Sequence, residues 1–277
     1  MGRRNIEGQV ALITGAARGI GKATALAMIE RGVKVALTDI DATALEQTHA
    51  VLAELDAEVV AYPLDVTDLE AFRAVVERTQ HDLGPLDILI NNAGIMAVGR
   101  FAETEARMDD RMIDINVRGV LHGARAVLPV FEERGKGHLV NMASSAGKFV
   151  APRGAVYCAT KHAVVGFSDA LIAEYERSAI DISYVMPGLV RTELTAGASA
   201  MRYPPALTPE QVAAAVIDVL ETGRTHAFVP GFAQLSALLP ALLPRTWVRQ
   251  LGQWFGVDRV FQVDDDERAD YRARIQE

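Results

Sequence analysis

The fold can be argued from one stretch of sequence, Val10-Ala11-Leu12-Ile13-Thr14-Gly15-Ala16-Ala17-Arg18-Gly19-Ile20-Gly21. An apolar run of strand length leads directly into a glycine-rich turn, and apolar residues at helical spacing follow as far as residue 31. Glycines let the backbone turn tightly and approach a pyrophosphate, while the first turn of a helix offers free N–H groups and a positive dipole end. The stretch therefore predicts a dinucleotide cradle. Because the loop reads GxxxGxG and not GxGxxG, a purely structural turn stays an alternative at this point.

The same alternation of short apolar segments with segments of helical period continues along the chain. It predicts strands at residues 10–14, 33–39, 58–64, 86–90, 138–143, 180–186 and 226–229, and helices at 20–31, 42–55, 69–83 and 209–220. Since the strands are nearly continuous Val, Ile, Leu and Ala, both of their faces should be covered by helices. We predict an α/β protein with a Rossmann-like, doubly wound parallel sheet. Residues 1–230 form the predicted domain, and residues 231–277 are a C-terminal extension of that same single domain.

Composition limits the classes of partner and the compartment. The 277 residues carry a net charge of −8, which repels phosphate backbones, so nucleic acid is not an expected partner. Cys158 is the single cysteine, so an intramolecular disulfide is impossible, and the six histidines show no ligand spacing. We expect no metal ion. The first residues contain no apolar run suited to a signal peptide, and we predict a cytoplasmic protein.

The end of the second predicted strand carries an acid, Asp39, about twenty residues after the glycine loop. A carboxylate there can accept hydrogen bonds from the adenosine ribose hydroxyls and repels a 2′-phosphate, which favours NAD over NADP. Three alternatives stay open. Asp39 could be a solvated residue at a strand end, Asp41 could share its role, and Arg18 could pair with a 2′-phosphate.

Further motifs follow the loop in a fixed order. They are Asp65-Val66, Asn91-Asn92-Ala93-Gly94, Asn116 within Asp114-Ile115-Asn116-Val117, Ser144, Tyr157-Cys158-Ala159-Thr160-Lys161, and Pro187-Gly188 with Val190 and Thr192. In this combination the chain resembles the short-chain dehydrogenase/reductase family, in the subgroup with TGxxxGIG and YxxxK motifs, from about residue 6 to residue 230. The resemblance implies a nicotinamide-dependent oxidoreductase acting on CH–OH groups.

The resemblance also implies the site residues. The catalytic set comprises Asn116, Ser144, Tyr157 and Lys161. The cofactor site comprises Gly15, Ala17, Arg18, Gly19, Ile20, Gly21, Asp39, Asp65, Val66, Asn92, Ala93, Gly94, Tyr157, Lys161, Pro187, Gly188, Val190 and Thr192. The neighbouring Ser145 is set aside because Ser144 lies thirteen residues before the tyrosine.

The chemistry expected of these residues is proton transfer. Tyr157 and Lys161 are four residues apart on a predicted helix and so lie on one face. A phenol with a pKa of about 10 is a poor base near neutrality, and we expect the ammonium and the ring of oxidised nicotinamide to lower that pKa. In the family resembled, the lysine holds the nicotinamide ribose, Ser144 donates a hydrogen bond to the substrate oxygen, and Asn116 fixes a water. Read alone, Tyr157 and Lys161 could be surface residues of a helix.

The substrate is inferred from apolar composition. The segment from Leu189 to Leu207 reads as an apolar lid, with Met96 and Val98 as the opposite wall. We therefore expect a hydrophobic secondary alcohol or ketone. The lid residues are Leu194, Ala196, Ala198, Ala200, Met201, Tyr203, Pro204 and Pro205.

The tail from residue 231 onward contains Trp247, Leu251 and Trp254 at helical spacing, with Arg245 and Arg249 beside them. Such an amphipathic helix can cap the pocket, which we favour, pack against a sister subunit, or lie on a lipid surface. The uncharged stretch from residue 227 to 244 contains three prolines and should not cross a bilayer.

Other functions stay open from the sequence. One is a regulator that senses the NAD redox state without turnover, and another is a lipid-surface-associated family member acting on retinoid- or steroid-like substrates. An epimerase or dehydratase relative is less favoured because such relatives usually carry a GxxGxxG loop. The resemblance also implies a homo-oligomer, a tetramer or a dimer.

Overall fold

A single parallel sheet organises the chain. The computed structural model describes residues 3–55, 57–197, 205–236, 244, 246–247, 250, 253–254, 256, 260–263 and 267–276. The strand order is β3-β2-β1-β4-β5-β6-β7, and every neighbouring pair is parallel. The strands are β1 (Val10–Thr14), β2 (Lys34–Asp39), β3 (Val59–Pro63), β4 (Leu86–Asn91), β5 (Gly137–Met142), β6 (Ile180–Pro187) and β7 (His226–Val229).

Helices cover both faces of this sheet. Ala11 and Ile13 of β1 are buried in one apolar core with α1, α2 and α7, whereas Val10 and Leu12 are buried in a second core with α3, α5 and α6. The predicted doubly wound α/β fold is therefore confirmed. The helices are α1 (Gly19–Ile29), α2 (Ala42–Ala53), α3 (Leu69–Leu83), α4 (Ala106–Ile113), α5 (Gly119–Arg134), α6 (Ala155–Tyr175), α7 (Pro209–Thr222), α8 (Ala233–Ser236) and the C-terminal helix (Ala269–Gln276).

Local sequence signals explain where several helices begin. Asp41 caps α2 by accepting a hydrogen bond from the Ala44 N–H, and Asp68 caps α3 in the same way. Thr208 and Gln211 form a reciprocal capping box at the start of α7, with Pro209 as its first residue. Predicted and observed element boundaries differ by at most two residues. The helix α4 and the π-helical turn Asp114–Arg118 that joins it to α5 were not predicted as separate elements.

The carboxyl ends of β1 and β4 meet where the chain order of the sheet reverses, which is where doubly wound folds bind their ligands. The Asn92 side chain after β4 donates to the carbonyl oxygens of Thr14 and Gly15, at 2.9 Å each, and so joins the two loops. The described part of the C-terminal extension reaches this same edge, where Phe261, Tyr271 and Ile275 are buried.

Several predictions about the lid and tail concern residues outside the described ranges. These residues are Ala198, Ala200, Met201, Tyr203, Pro204, Arg245, Arg249 and Leu251. Trp247 and Trp254, which are described, are 60% and 62% exposed. No helix in the described ranges has both the length and the apolar character needed to span a membrane.

Candidate active site

A cleft of about 940 Å³ opens at the carboxyl edge of the sheet and collects most of the predicted residues. Ala17, Gly21 and Asn116 were predicted as site residues but lie behind its wall. Val98, the second predicted wall residue, packs near Tyr157 without lining the cleft, whereas Met96 lines it. The predicted residues that line it are Gly15, Arg18, Gly19, Ile20, Asp39, Asp65, Val66, Asn92, Ala93, Gly94, Ser144, Tyr157, Lys161, Pro187, Gly188, Val190 and Thr192.

The glycine loop forms one end of the cleft with bare backbone. A Cβ on Gly21 would lie 2.1 Å from the Gly15 carbonyl oxygen, and a Cβ on Gly15 would lie 2.9 Å from the Ala93 Cα. Gly15 also has a φ of +64°, which a side chain disfavours. Arg18, at the N-cap of α1, provides no side-chain cap, so the first N–H groups of that helix stay available to an anion. The loop therefore fits a pyrophosphate group.

Two carboxylates, those of Asp39 and Asp41, lie at the end of β2. Asp39 accepts hydrogen bonds from the backbone N–H groups of Ala17 and Asp41, each at 3.1 Å. Arg18 forms ion pairs with Asp41 and, at 3.4 Å, with Glu193. The Ala44 N–H bond at the helix cap and the Arg18 guanidinium hold the pKa of Asp41 below its usual value. Glu193 also pairs with Arg274, at 2.7 Å, so Asp41 is the nearer partner of Arg18.

The predicted catalytic residues meet at the other end of the cleft. Tyr157 is 8% exposed, and the Ser144 side chain lies near enough to its phenol to affect the pKa of that group. The Lys161 ammonium lies 5.9 Å from the centre of the Tyr157 ring and donates to the Met142 carbonyl at 3.0 Å. Ser144 also contacts the Pro187 carbonyl at 3.4 Å, which is at the limit of a hydrogen bond. Its single proton is therefore free to turn to a charged phenolate.

Burial controls the proton affinities of this pair. It raises the pKa of Tyr157 to about 12, against which the Ser144 hydrogen bond acts, and it lowers the pKa of Lys161 to about 8. The expected lowering of the Tyr157 pKa by the adjacent ammonium is absent in the protein by itself. The reason is that desolvation outweighs an ammonium that is directed to a backbone carbonyl. The protein alone thus holds Tyr157 as a neutral phenol.

Asn116 lies in the π-helical turn and is fully buried. Its side-chain oxygen accepts from the Ile95 N–H at 2.8 Å, and its nitrogen donates to the Ile95 carbonyl at 2.9 Å and to the Thr160 hydroxyl at 3.2 Å. A Cβ on Gly94 would lie 3.1 Å from the Asn116 oxygen and 3.7 Å from the Lys161 nitrogen. Asn116 therefore fixes the chain after β4 against α6, and its expected water contact stays a prediction.

The C-terminal extension supplies a wall that the motifs did not reveal. Phe261 places its ring 5.9 Å from that of Tyr157, edge to face, and a Cβ on Gly154 would lie 2.3 Å from the Phe261 ring. Tyr271 and Ile275 of the C-terminal helix line the same cleft. The sequence predicted that the tail caps the pocket, but it pointed to Trp247, Leu251 and Trp254 and not to these residues, which no motif marks.

Cys158, next to Tyr157, is buried in an apolar cluster, and burial raises the pKa of its thiol. This is in keeping with a packing role and not with a nucleophile. Within the described ranges, no three His, Cys, Asp or Glu side chains are grouped so that they could hold a metal ion.

Comparison with known proteins places these features in context. The family profile described as short chain dehydrogenase matches residues 9–202. The "Probable oxidoreductase EphD" of Mycobacterium tuberculosis is 38% identical over 185 residues, which are 66% of this chain but only 31% of that protein. The chain therefore spans about a third of the length of this relative.

Two further similar proteins match this chain over a larger share of both chains. The 17-beta-hydroxysteroid dehydrogenase 13 of Rattus norvegicus is 30% identical over 254 residues, 91% of this chain and 84% of that protein. A crystal structure of a short chain dehydrogenase/reductase from Burkholderia phymatum in complex with NAD superposes with a TM-score of 0.78 at 27% identity, covering 86% of this chain and 95% of that one.

Proposed function

The chain belongs to the short-chain dehydrogenase family and is an oxidoreductase, and on that premise we propose that it transfers a hydride between NAD(H) and a hydrophobic secondary alcohol or ketone. The observation that carries the proposal is the convergence of Ser144, Tyr157 and Lys161 in the cleft that the glycine loop also lines. A bound dinucleotide supplies the hydride acceptor or donor. The protein itself binds the dinucleotide, orients the substrate and moves the proton.

Tyr157 is the group proposed to move the proton. In alcohol oxidation it takes the hydroxyl proton, and in ketone reduction its phenol, which burial keeps protonated, gives that proton back. Ser144 has a single hydroxyl proton, which it donates to whichever of the two oxygens, that of the phenolate or that of the substrate, bears the negative charge. Lys161, with a pKa lowered to about 8, holds its ammonium beside Tyr157 and can contact the ribose of the bound dinucleotide.

NAD is proposed over NADP because of the charges at the end of β2. Asp39 and Asp41 would face an added 2′-phosphate, and Arg18 is already paired with Asp41 and Glu193. The structural neighbour from Burkholderia phymatum binds NAD. Dissociation constants for both cofactors test this, with tighter binding of NADH expected. Asp39→Ala should narrow the preference, and tighter NADPH binding by the unchanged protein would mean that Arg18 dominates.

A hydrophobic substrate is proposed from the side chains around the catalytic end of the cleft. Met96, Leu194, Phe261 and Ile275 all present apolar surface there. The rat relative is named a hydroxysteroid dehydrogenase, which is in keeping with an apolar alcohol.

The deciding experiment is NAD-dependent turnover of a panel of secondary alcohols by the unchanged protein and by Tyr157→Phe. We expect the substitution to reduce turnover by ~10²- to 10⁴-fold, because it removes a proton-transfer group, while NADH affinity is retained. Tyr175→Phe is the matched control, since Tyr175 bonds Glu132 on the surface. Lys161→Ala should impair both turnover and cofactor binding. Full activity of Tyr157→Phe would refute the mechanism, and tight NADH binding without any turnover would favour the redox-sensing regulator.

A homo-oligomer, dimer or tetramer, remains part of the proposal. An apolar groove between α5 and α6, lined by Leu128, Pro129, Phe167 and Leu171, offers a surface on which a second copy could pack. Light scattering at micromolar concentration tests this, and a monomer mass would overturn it. The cytoplasmic compartment stays a prediction.

A further inference from the structure

Arg268 is an unusual residue in the cleft wall because a full positive charge is buried there. The residue is 1% exposed, although the chain around it belongs to the polar C-terminal extension. Isolated buried charges are costly, so a guanidinium in such a place needs several hydrogen-bond acceptors in a fixed arrangement.

The acceptors of Arg268 come from two different parts of the chain. One guanidinium nitrogen donates to the carbonyl oxygens of Leu194 and Ala196, at 3.0 Å and 3.1 Å, in the segment after β6. The other donates to the carbonyl oxygen of Met96, in the segment after β4. These two segments are the opposite sides of the cleft that contains Tyr157. The planar fork of an arginine suits such a bridge, whereas the point charge of a lysine does not.

The same guanidinium fixes the C-terminal helix. Its central carbon lies 4.6 Å from the centre of the Tyr271 ring, and the Tyr271 hydroxyl accepts a hydrogen bond from the Met96 N–H at 2.8 Å. Tyr271 and Ile275 pack with Met108 of α4. Arg268 thus joins three elements, namely both cleft sides and the helix that covers them.

We infer that Arg268 is a positioning residue that ties the C-terminal extension across the cleft and thereby makes Phe261, Tyr271 and Ile275 a fixed wall of the substrate site. The substrate half of this inference rests on the proposed function. Without the guanidinium, the wall separates from the Met96 and Leu194 sides, large apolar substrates lose their contacts, and the cover over Tyr157 opens. The dinucleotide end of the cleft keeps its geometry.

Cys158 provides a built-in reporter for this opening. It is the single cysteine of the chain, it is 3% exposed, and it shares one apolar cluster with Tyr157 and Phe261. In the full chain, the rate at which 5,5′-dithiobis(2-nitrobenzoate) modifies Cys158 should rise about 10- to 100-fold in Arg268→Met, since hydrogen bonds to a charged group are lost. Arg177→Met, an exposed arginine beyond α6, is the control and should not change the rate. The rate of Cys158 modification should be measured at several urea concentrations below the unfolding transition. Modification through local opening is nearly independent of urea there, whereas modification through global unfolding becomes faster as urea is added.

Steady-state kinetics separate positioning from mere stability. For Arg268→Met we expect the KM for 2-decanol to rise at least tenfold and the KM for 2-butanol to change little, with NADH affinity within about twofold. Arg268→Lys keeps the charge but cannot span both sides, so its Cys158 rate should lie between those of the unchanged protein and Arg268→Met. If Arg268→Met does not fold, the Cys158 modification rate of Arg268→Lys tests whether Arg268 holds the wall.

Unchanged Cys158 reactivity in folded Arg268→Met or in Arg268→Lys would overturn the inference, and so would a KM for 2-decanol that stays constant. If the unchanged protein turns over no alcohol, the proposed function fails. The Cys158 rates then still decide whether Arg268 holds the wall.

Discussion

Replacing Ser144 by alanine should move the pH dependence of alcohol oxidation to higher pH. In the structure, the Ser144 hydrogen bond lowers the pKa of the Tyr157 phenol, while burial raises it to about 12. Oxidation needs the deprotonated phenol as the base, so its rate rises with pH through the pKa of Tyr157 in the NAD complex, which the positive nicotinamide ring should lower from the value in the protein alone. Removing the hydrogen bond that stabilises the phenolate raises the pKa further. The ascending limb of the plot of rate against pH must therefore move to higher pH.

The size of the shift follows from one hydrogen bond to a charged group, which contributes roughly 1.5–3 kcal/mol. Since one pKa unit corresponds to about 1.4 kcal/mol, the limb should move by about one to two pH units. Below the limb, kcat/KM at fixed pH should then fall about 10- to 100-fold. Loss of the hydrogen bond to the substrate oxygen adds a decrease that does not depend on pH.

The assay is kcat/KM for oxidation of a secondary alcohol at saturating NAD, measured by NADH absorbance at intervals of half a pH unit. NADH dissociation constants measured by fluorescence across the same range show whether cofactor binding contributes.

Ser145→Ala is the matched control, because Ser145 lies beside Ser144 in the cleft but is not a cause of the Tyr157 pKa shift. We expect its limb to coincide with that of the unchanged protein. A Ser144→Ala limb at its original pH, or an equal shift for both variants, would refute the role assigned to Ser144.

Two further predictions concern stability and cofactor binding. Burial lowers the pKa of His138 from 6.5 to about 4, so the unfolded chain binds a proton at a higher pH than the folded protein does. The free energy of unfolding should therefore fall by about 3 kcal/mol as the pH drops from 6.5 to 4. Denaturant titrations should show that His138→Asn removes this dependence. Gly21→Ala should abolish NADH binding, because the added Cβ would lie 2.1 Å from the Gly15 carbonyl oxygen. Gly166 lies on an exposed face of α6, where an added Cβ would have no other atom within 4 Å, so Gly166→Ala should raise the free energy of unfolding by ~0.5–1 kcal/mol.

The sheet and the glycine loop that lines the cleft could be predicted because each depends on local sequence. Strands buried on both faces must be largely apolar, as β1 and β4 are, and a glycine loop between a strand and a helix is typical of a phosphate-binding turn. Gly21 illustrates the limit of this reasoning. Its role is to leave room for the Gly15 carbonyl oxygen, a contact that spacing alone does not show.

The parts that were missed depend on contacts between distant residues. Helix α4 presents only Met108 and Met112 to the core, which is too short a stripe to stand out in the sequence. Arginine is usually a surface residue, and among the acceptors of Arg268 are three backbone carbonyl groups, which no residue type in the sequence identifies. Motif analysis finds the groups proposed to react, but it does not find a wall that depends on contacts to the backbone of distant segments.

The reversal of strand order between β1 and β4 also divides the protein along its sequence. Gly15, Arg18 and Asp39 precede the link from α3 to β4, whereas Ser144 and Tyr157 follow it. A recombination joint near residue 84 would therefore let a chimera inherit nucleotide preference from one parent and substrate chemistry from another. The contacts to be matched across such a joint are those between β1 and β4, between α1 and α7, and between α3 and α5.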